Sequence, residues 1–365
     1  MTTLVQKPRT GQDDKTLISP EELADAGLIA PTETAALRPV AARYSIAVTP
    51  QIVALIDRGD PADPIARQFL PDRRELRALP GELADPIGDA VHSPLPGVVH
   101  RYADRVLLKL LTVCPVYCRF CFRRETVGRG KGDMLSREET DAALDYIAAN
   151  PQIYEVILTG GDPLALSPRR LRAVAERLAT IPHVSVLRVH TRAPTAAPAL
   201  VTPEWLNALK ASGKAMFIAL HVNHVRELND EARAAIARLH DAGATLLSQT
   251  VLLAGVNDDA ETLETLMRAL MSLRIKPYYL HHPDMAPGAG HFRLTLARGR
   301  AIYAALARRL GGPALPTYVL DLPGGFGKAR VAAGDAAPED SGGWRVTDRT
   351  GRIHIYNDGP AAPQD

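Results

Sequence analysis

The chain has 365 residues, 46% of them hydrophobic and 23% charged, with a formal net charge of +2. That length holds about two folding units, or one large barrel-type domain with extensions, and the apolar content excludes wholesale disorder. A charge so close to neutral supplies no global field for nucleic acid or an anionic membrane.

Residues 1–18 are polar and expected to be mobile. Met1–Lys15 lacks the apolar segment of a secretion signal, and the longest apolar stretch, Val106–Val113, is interrupted by Lys109. A soluble, cytoplasmic protein is the expectation. Ser19-Pro20-Glu21-Glu22 opens a short helix, with serine at the cap, proline in the first turn and acids behind it. Thr32-Glu33-Thr34 and the Ala/Leu pattern after it predict a second. As far as Pro96, helical fragments are broken by Asp-Pro and Leu-Pro pairs, which reads as an N-terminal helical extension over residues 1–95.

From Arg105 the texture changes. Apolar runs at Val106–Thr112, Tyr154–Thr159, Val184–His190, Ala215–His221, Thr245–Leu252 and Pro277–Leu280 alternate with helical patterns. Those patterns are Ser136–Ala149, Pro168–Ala179, Asp230–Ala242 and Asp259–Ser272. Buried strands alternating with helices indicate parallel βαβ units, in a full or partial (β/α) barrel or an open doubly wound sheet. In a barrel the chemistry sits at the C-terminal strand ends. The core is assigned to 96–310. The remainder, 311–365, holds a strand at Thr317–Asp321, a hairpin of Trp344–Thr347 with Arg352–Tyr356, and a frayed tail.

The three cysteines, Cys114, Cys118 and Cys121, fall within eight consecutive residues directly after the first strand. No distant pair exists to form a structural disulfide. Three thiolates on one tight loop can bind three irons of a [4Fe–4S] cubane, leaving the fourth iron without a cysteine. A zinc-type cysteine knuckle completed by a histidine, or three unliganded cysteines, are the competing readings. Downstream, Asp321-Leu-Pro-Gly-Gly-Phe-Gly327-Lys328 imitates a P-loop. It fails at Leu322 and Ala329, where that motif needs glycine and a hydroxyl. The string is either a surface turn ending in a solvated lysine or a lysine on a mobile glycine loop that can form a Schiff base.

The cysteine spacing, with Phe120 before the third cysteine, resembles the radical S-adenosylmethionine (SAM) superfamily. The resemblance implies a (β/α) barrel of radical SAM type, a cluster that chelates SAM through its open iron, and cleavage of SAM to a 5′-deoxyadenosyl radical. It also implies a glycine turn for SAM, matched by Gly160-Gly161-Asp162. More narrowly, the chain resembles the lysine 2,3-aminomutase family from about Asp63 to Lys328. The resemblance is carried by Asp63-Pro-Ile-Ala-Arg-Gln-Phe, His92-Ser-Pro-Leu-Pro-Gly, His100-Arg-Tyr-Ala-Asp-Arg105, Gln249-Thr-Val-Leu-Leu-Ala-Gly-Val-Asn257-Asp258, His291-Phe-Arg293 and Pro323-Gly-Gly-Phe-Gly-Lys328.

That likeness implies an isomerase using pyridoxal 5′-phosphate (PLP), which converts L-lysine to β-lysine. Lys328 would form the internal aldimine, and Arg101 and Arg105 would approach the PLP phosphate. Arg123 would pair with the substrate carboxylate, and Asp284 and Asp321 with its distal ammonium. His221 and Gln249 would line the SAM and PLP site, though each could equally be a hydrogen-bonded core residue. A flavodoxin or ferredoxin is the implied electron donor. Asp259 stands where longer relatives carry an interface zinc cysteine, and no cysteine follows Cys121. That zinc site is expected to be absent, which leaves a homodimer as the assembly to test. In size the chain is closer to the subfamily that makes (R)-β-lysine for elongation factor P. The same chemistry on another amino acid is the alternative.

Overall fold

A computed structural model describes residues 15–128, 133–332, 336–338, 344–347 and 352–356. Its centre is a sheet of nine strands in sequence order. They are β1 (Val98–Tyr102), β2 (Arg105–Leu111), β3 (Glu155–Gly160), β4 (Val186–Thr191), β5 (Ala215–His221), β6 (Thr245–Val251), β7 (Lys276–His281), β8 (Thr317–Leu322) and β9 (Gly327–Arg330). Strands β2 to β8 run parallel, while β1 and β9 are antiparallel at the two edges. The edges meet through side chains: the backbone N–H of Lys328 donates to Tyr102 Oη at 3.0 Å. The sheet is therefore a nearly closed barrel, as the alternation of strands and helices predicts.

The helices form where the sequence caps them. Ser136 and Glu139 make a reciprocal capping box, and Ser167, Asn229 and Asp259 each accept a first-turn N–H. Their apolar faces, such as Leu171, Val174 and Leu178, pack on outward strand residues including Leu108, Leu158, Leu187, Val189, Ile218 and Leu246. Burial of this layer is the main driving force for the fold. The core thus lies between sheet and helices. The barrel interior is lined by a different set at alternate positions: Arg188 and His190 on β4, Tyr279 and His281 on β7, Thr317, Val319 and Asp321 on β8.

Strands β1 and β9 have no counterpart in the sequence reading. Lys328 is not on the glycine turn itself but one step into β9, directly opposite Asp321. Residues 15–18 are also better held than a mobile tail, because Leu17 exchanges both backbone hydrogen bonds with Val48. Residues 1–14 and the tail after Tyr356 lie outside the described residues. The expected hairpin of Trp344–Thr347 with Arg352–Tyr356 is present, its second strand starting at Ile353, with Ala336–Pro338 as a third strand.

Candidate active site

The cysteine loop leaves the C-terminal end of β2 and is braced from below by the N-terminal extension. Glu75, fully buried, receives Arg119 Nε at 2.9 Å and is also bonded by Arg119 Nη2 and Arg124 Nη2. Arg119 Nη1 donates to Ser45 O, and its backbone N–H to Gln68 O, both at 2.8 Å. Arg119 lies between Cys118 and Cys121, so these contacts set the loop's shape.

On the other side the Gly160-Gly161-Asp162 turn after β3 grips the approach to Cys114. Gly161 N donates to Leu111 O at 2.7 Å, and Asp162 N to Val113 O at 2.9 Å. A Cβ on Gly161 would meet Val113 O at 2.2 Å, so only glycine fits there. The Asp162 carboxylate accepts from Thr191 Oγ1 and from the backbone N–H groups of Leu164, Arg192 and Ala193. It ties the turn to the end of β4.

The three thiols are half-buried. Burial pushes all of them up, Cys118 to about 11. Each would release its proton on binding iron. Among the described residues no three His, Cys, Asp or Glu side chains converge on one point to share a metal ion. Three thiols within eight consecutive residues match the donor type and number that a cubane takes, each thiolate on a different iron.

Beside this loop, a cavity of about 490 Å³ opens inside the barrel. Among its walls are Arg101, Arg105, Arg123, His221, Gln249, Asp284, Asp321 and Lys328. The barrel closes these eight candidates around one space, although more than 200 positions separate the first from the last. Gly160, Gly161 and Asp162 lie outside that lining and act on the cysteine loop.

At one end of the cavity, Lys328 Nζ donates to Asp321 Oδ1 at 2.7 Å, and His281 Nδ1 stands 3.5 Å from Asp321 Oδ2. Burial opposes the Asp321 charge, but the His281 contact and the Lys328 ammonium outweigh it and hold the carboxyl well below its usual range. Asp284 is the opposite case. Burial, reinforced by the Asp321 charge, raises it to about 7. Its buried Oδ1 has no hydrogen-bond partner among the described residues. Lys328 pairs with Asp321 alone, and the unpartnered Asp284 oxygen beside that pair suits a second cation.

Elsewhere, Arg105 lies 4.1 Å over the Tyr102 ring and pairs with Asp104. Arg101 donates to Ile87 O at 2.6 Å and leaves its buried Nε without a partner. Burial keeps His190 and His221 neutral, His221 at about 3. Gln249 Nε2 lies 3.3 Å from His190 Nε2.

The Lys328 strand is held closely. His92 Nε2 meets Gly325 O at 2.9 Å, and a Cβ on Gly88 would meet Gly325 N at 2.5 Å. The cavity walls also include Tyr102, Arg188, His190, Tyr278, Tyr279 and His281, none of which sequence reasoning singled out as a site residue. A signal for some of them exists: polar residues at alternate positions of otherwise apolar strands.

The site's donors fit the implied groups. Arg101, whose buried Nε is unpaired, and Arg105 line the same cavity and suit a phosphate. Lys328 is a primary amine at the cavity wall, and Phe122 and Arg123, which directly follow Cys121, line the same cavity.

The radical SAM superfamily profile matches residues 108–267. The chain is 40% identical over 286 residues to L-lysine 2,3-aminomutase of Clostridium subterminale, covering 78% of this chain and 68% of that one. The protein of the same name from Bacillus subtilis is 34% identical over 326 residues, covering 89% and 67%. That of Escherichia coli is 35% identical over 282 residues, covering 77% and 81%.

Proposed function

The chain belongs to the lysine 2,3-aminomutase family of the radical SAM superfamily, and we propose that it moves the α-amino group of L-lysine from C2 to C3, with one hydrogen passing from C3 to C2, to give β-lysine. The observation that carries the substrate assignment is the charge layout of the cavity. Asp321 pairs with Lys328 while Asp284 keeps an unpartnered carboxyl oxygen, and the same cavity holds the Arg123 guanidinium. An α-amino acid with a carboxylate and a distal ammonium complements both features. A substrate such as glutamate would set a second anion against the two carboxylates.

Cys114, Cys118 and Cys121 would hold the cluster. The Gly160-Gly161 turn, His221 and Gln249 would serve SAM, while Lys328, Arg101 and Arg105 would hold PLP. Bound there, these groups supply a carbon-centred radical and an electron sink for the migrating nitrogen. The chain's own part is positioning. Arg123 fixes the carboxylate and Asp284 and Asp321 the far ammonium, so C3 of the substrate is presented in one orientation. Neutral His190 and His221 keep additional positive charge away from the arginine-rich interior. Were Lys328 to hold PLP, its ammonium would no longer be the fixed partner of Asp321, and that carboxylate would be free to meet a substrate ammonium. Reduced flavodoxin or ferredoxin would supply the electron.

The test is anaerobic loading with iron, sulfide, PLP and SAM, then product analysis from isotopically labelled L-lysine. Labelled β-lysine is expected. Unchanged lysine from enzyme that retains both cluster and PLP overturns the assignment. The zinc-knuckle alternative predicts instead a colourless protein with stoichiometric zinc.

A further inference from the structure

A second cavity, of about 560 Å³, adjoins the central one and shares Phe122 and Arg123 with it. Arg123 therefore borders two spaces and needs something to hold it toward one. Its neighbour is Asp89, buried on the short segment before β1. Arg123 Nε and Nη2 both donate to Asp89 Oδ2, at 3.1 and 2.9 Å. Arg101 Nη2 lies 3.3 Å from Oδ1, and Lys109 Nζ 3.6 Å from Oδ2. Burial opposes the Asp89 charge, yet Arg123 and Lys109 keep its carboxyl below the usual range.

Asp89 is itself fixed. Its N–H donates to Asp85 Oδ1 at 2.9 Å, and its carbonyl accepts from Ser93 Oγ at 2.8 Å. Three residues on, His92 holds Gly325 of the turn that precedes Lys328.

A guanidinium offers more than one bidentate edge. Asp89 occupies the Nε–Nη2 edge of Arg123, and Nη1 has no protein partner among the described residues. The Arg123 face lies 4.4 Å over Phe122, which fixes the plane of the group. One buried carboxylate thus aligns Arg123 and joins it to Arg101.

We propose that Asp89 is a positioning residue for the carboxylate end of the substrate: it clamps one edge of Arg123 so that the other is presented to an α-carboxylate in the central cavity. The assignment rests on the reading that Arg123 receives the substrate carboxylate. Lys109 keeps Asp89 compensated from the second cavity while Arg123 engages a ligand.

The test uses the cofactor-loaded holoenzyme, with L-lysine as substrate and cadaverine, which is lysine without the carboxylate, as competitor. D89N keeps the shape of the side chain but not its charge. Its KM for L-lysine should rise on the order of 10-fold, as expected when a charge-assisted contact loses its alignment. The inhibition constant of cadaverine should stay within about twofold, because no carboxylate is involved. In an R123K background, D89N should add little, since its effect passes through Arg123.

An unchanged KM for L-lysine, a parallel loss of cadaverine binding, or a full D89N effect in the R123K background would each overturn the proposal. If D89N does not fold, D89E, which displaces the guanidinium by one methylene, must show the same selective loss. Titration calorimetry of L-lysine and cadaverine on the holoenzyme separates the two readings. Wild type that binds both without forming β-lysine refutes the reaction, while the Asp89 effect on the L-lysine dissociation constant is still read.

Discussion

Asp284 titrates in the range where an enzyme works, and this makes the substrate assignment testable by pH. Burial and the Asp321 charge lift it to about 7. A distal ammonium binds the ionised form. For a group titrating near 7, the ionised fraction climbs from roughly 0.1 at about pH 6 to roughly 0.9 at about pH 8. Binding of L-lysine through this group should therefore strengthen about tenfold across that interval.

L-Norleucine keeps the carboxylate and α-amino group but lacks the distal ammonium. The ratio of the L-lysine to L-norleucine dissociation constants thus cancels titrations of the shared groups. Calorimetry on the holoenzyme should show the ratio moving about tenfold in favour of lysine between about pH 6 and pH 8. In D284N it should be flat, with lysine bound roughly 10-fold more weakly at the upper pH through loss of a charge-assisted contact. A flat ratio in the wild type would refute the reasoning.

The same raised value has a stability consequence. The folded chain holds a proton on Asp284 that the unfolded chain releases near its ordinary value. The position's contribution is therefore fully present below about pH 4 and is lost as pH rises toward 7. The Tm difference between wild type and D284N should shrink or reverse along that path.

Three further outcomes follow from the geometry. Borohydride reduction of PLP-loaded enzyme should fix the cofactor on Lys328 alone, read by peptide mass spectrometry, and K328A should carry no covalent label. Replacing Cys118 with alanine should remove the brown colour of the anaerobically loaded protein while leaving its far-ultraviolet circular dichroism unchanged. E75Q removes the carboxylate between buried Arg119 and Arg124. It should destabilise the protein by roughly 3–5 kcal/mol in urea unfolding and lower iron content even below its unfolding midpoint.

The legible and illegible parts of this chain divide along a physical line. Helices whose ends carry their own chemistry fall where the sequence places them: Pro168–Ala179 behind Ser167, and Ala260–Ser272 behind Asp259. The parallel strands are legible because one face of each is continuously apolar and packs against those helices. Strand β1 was hidden because Val98–Tyr102 has only two fully buried apolar residues before His100 and Arg101. Strand β9 was hidden because Gly327–Arg330 is short and polar, and pairing with β8, rather than its own propensity, makes it a strand.

The same reasoning explains which site residues escaped. Lys328, Asp321 and Arg123 belong to compact motifs, but Arg188, His190, Tyr279 and His281 are single polar residues within strands and acquire meaning only when the sheet curls around a cavity. Asp89 was the hardest to read. It sits in an irregular segment and touches Arg101 and Arg123, both of which lie on other elements. The N-terminal extension, which in the sequence is only broken helical fragments, is what holds the cysteine loop, through Glu75, Ser45 and Gln68. Truncating it should therefore cost the cluster site before it costs the barrel, whose buried core begins at Val98 and takes only Leu95, at its margin, from the extension.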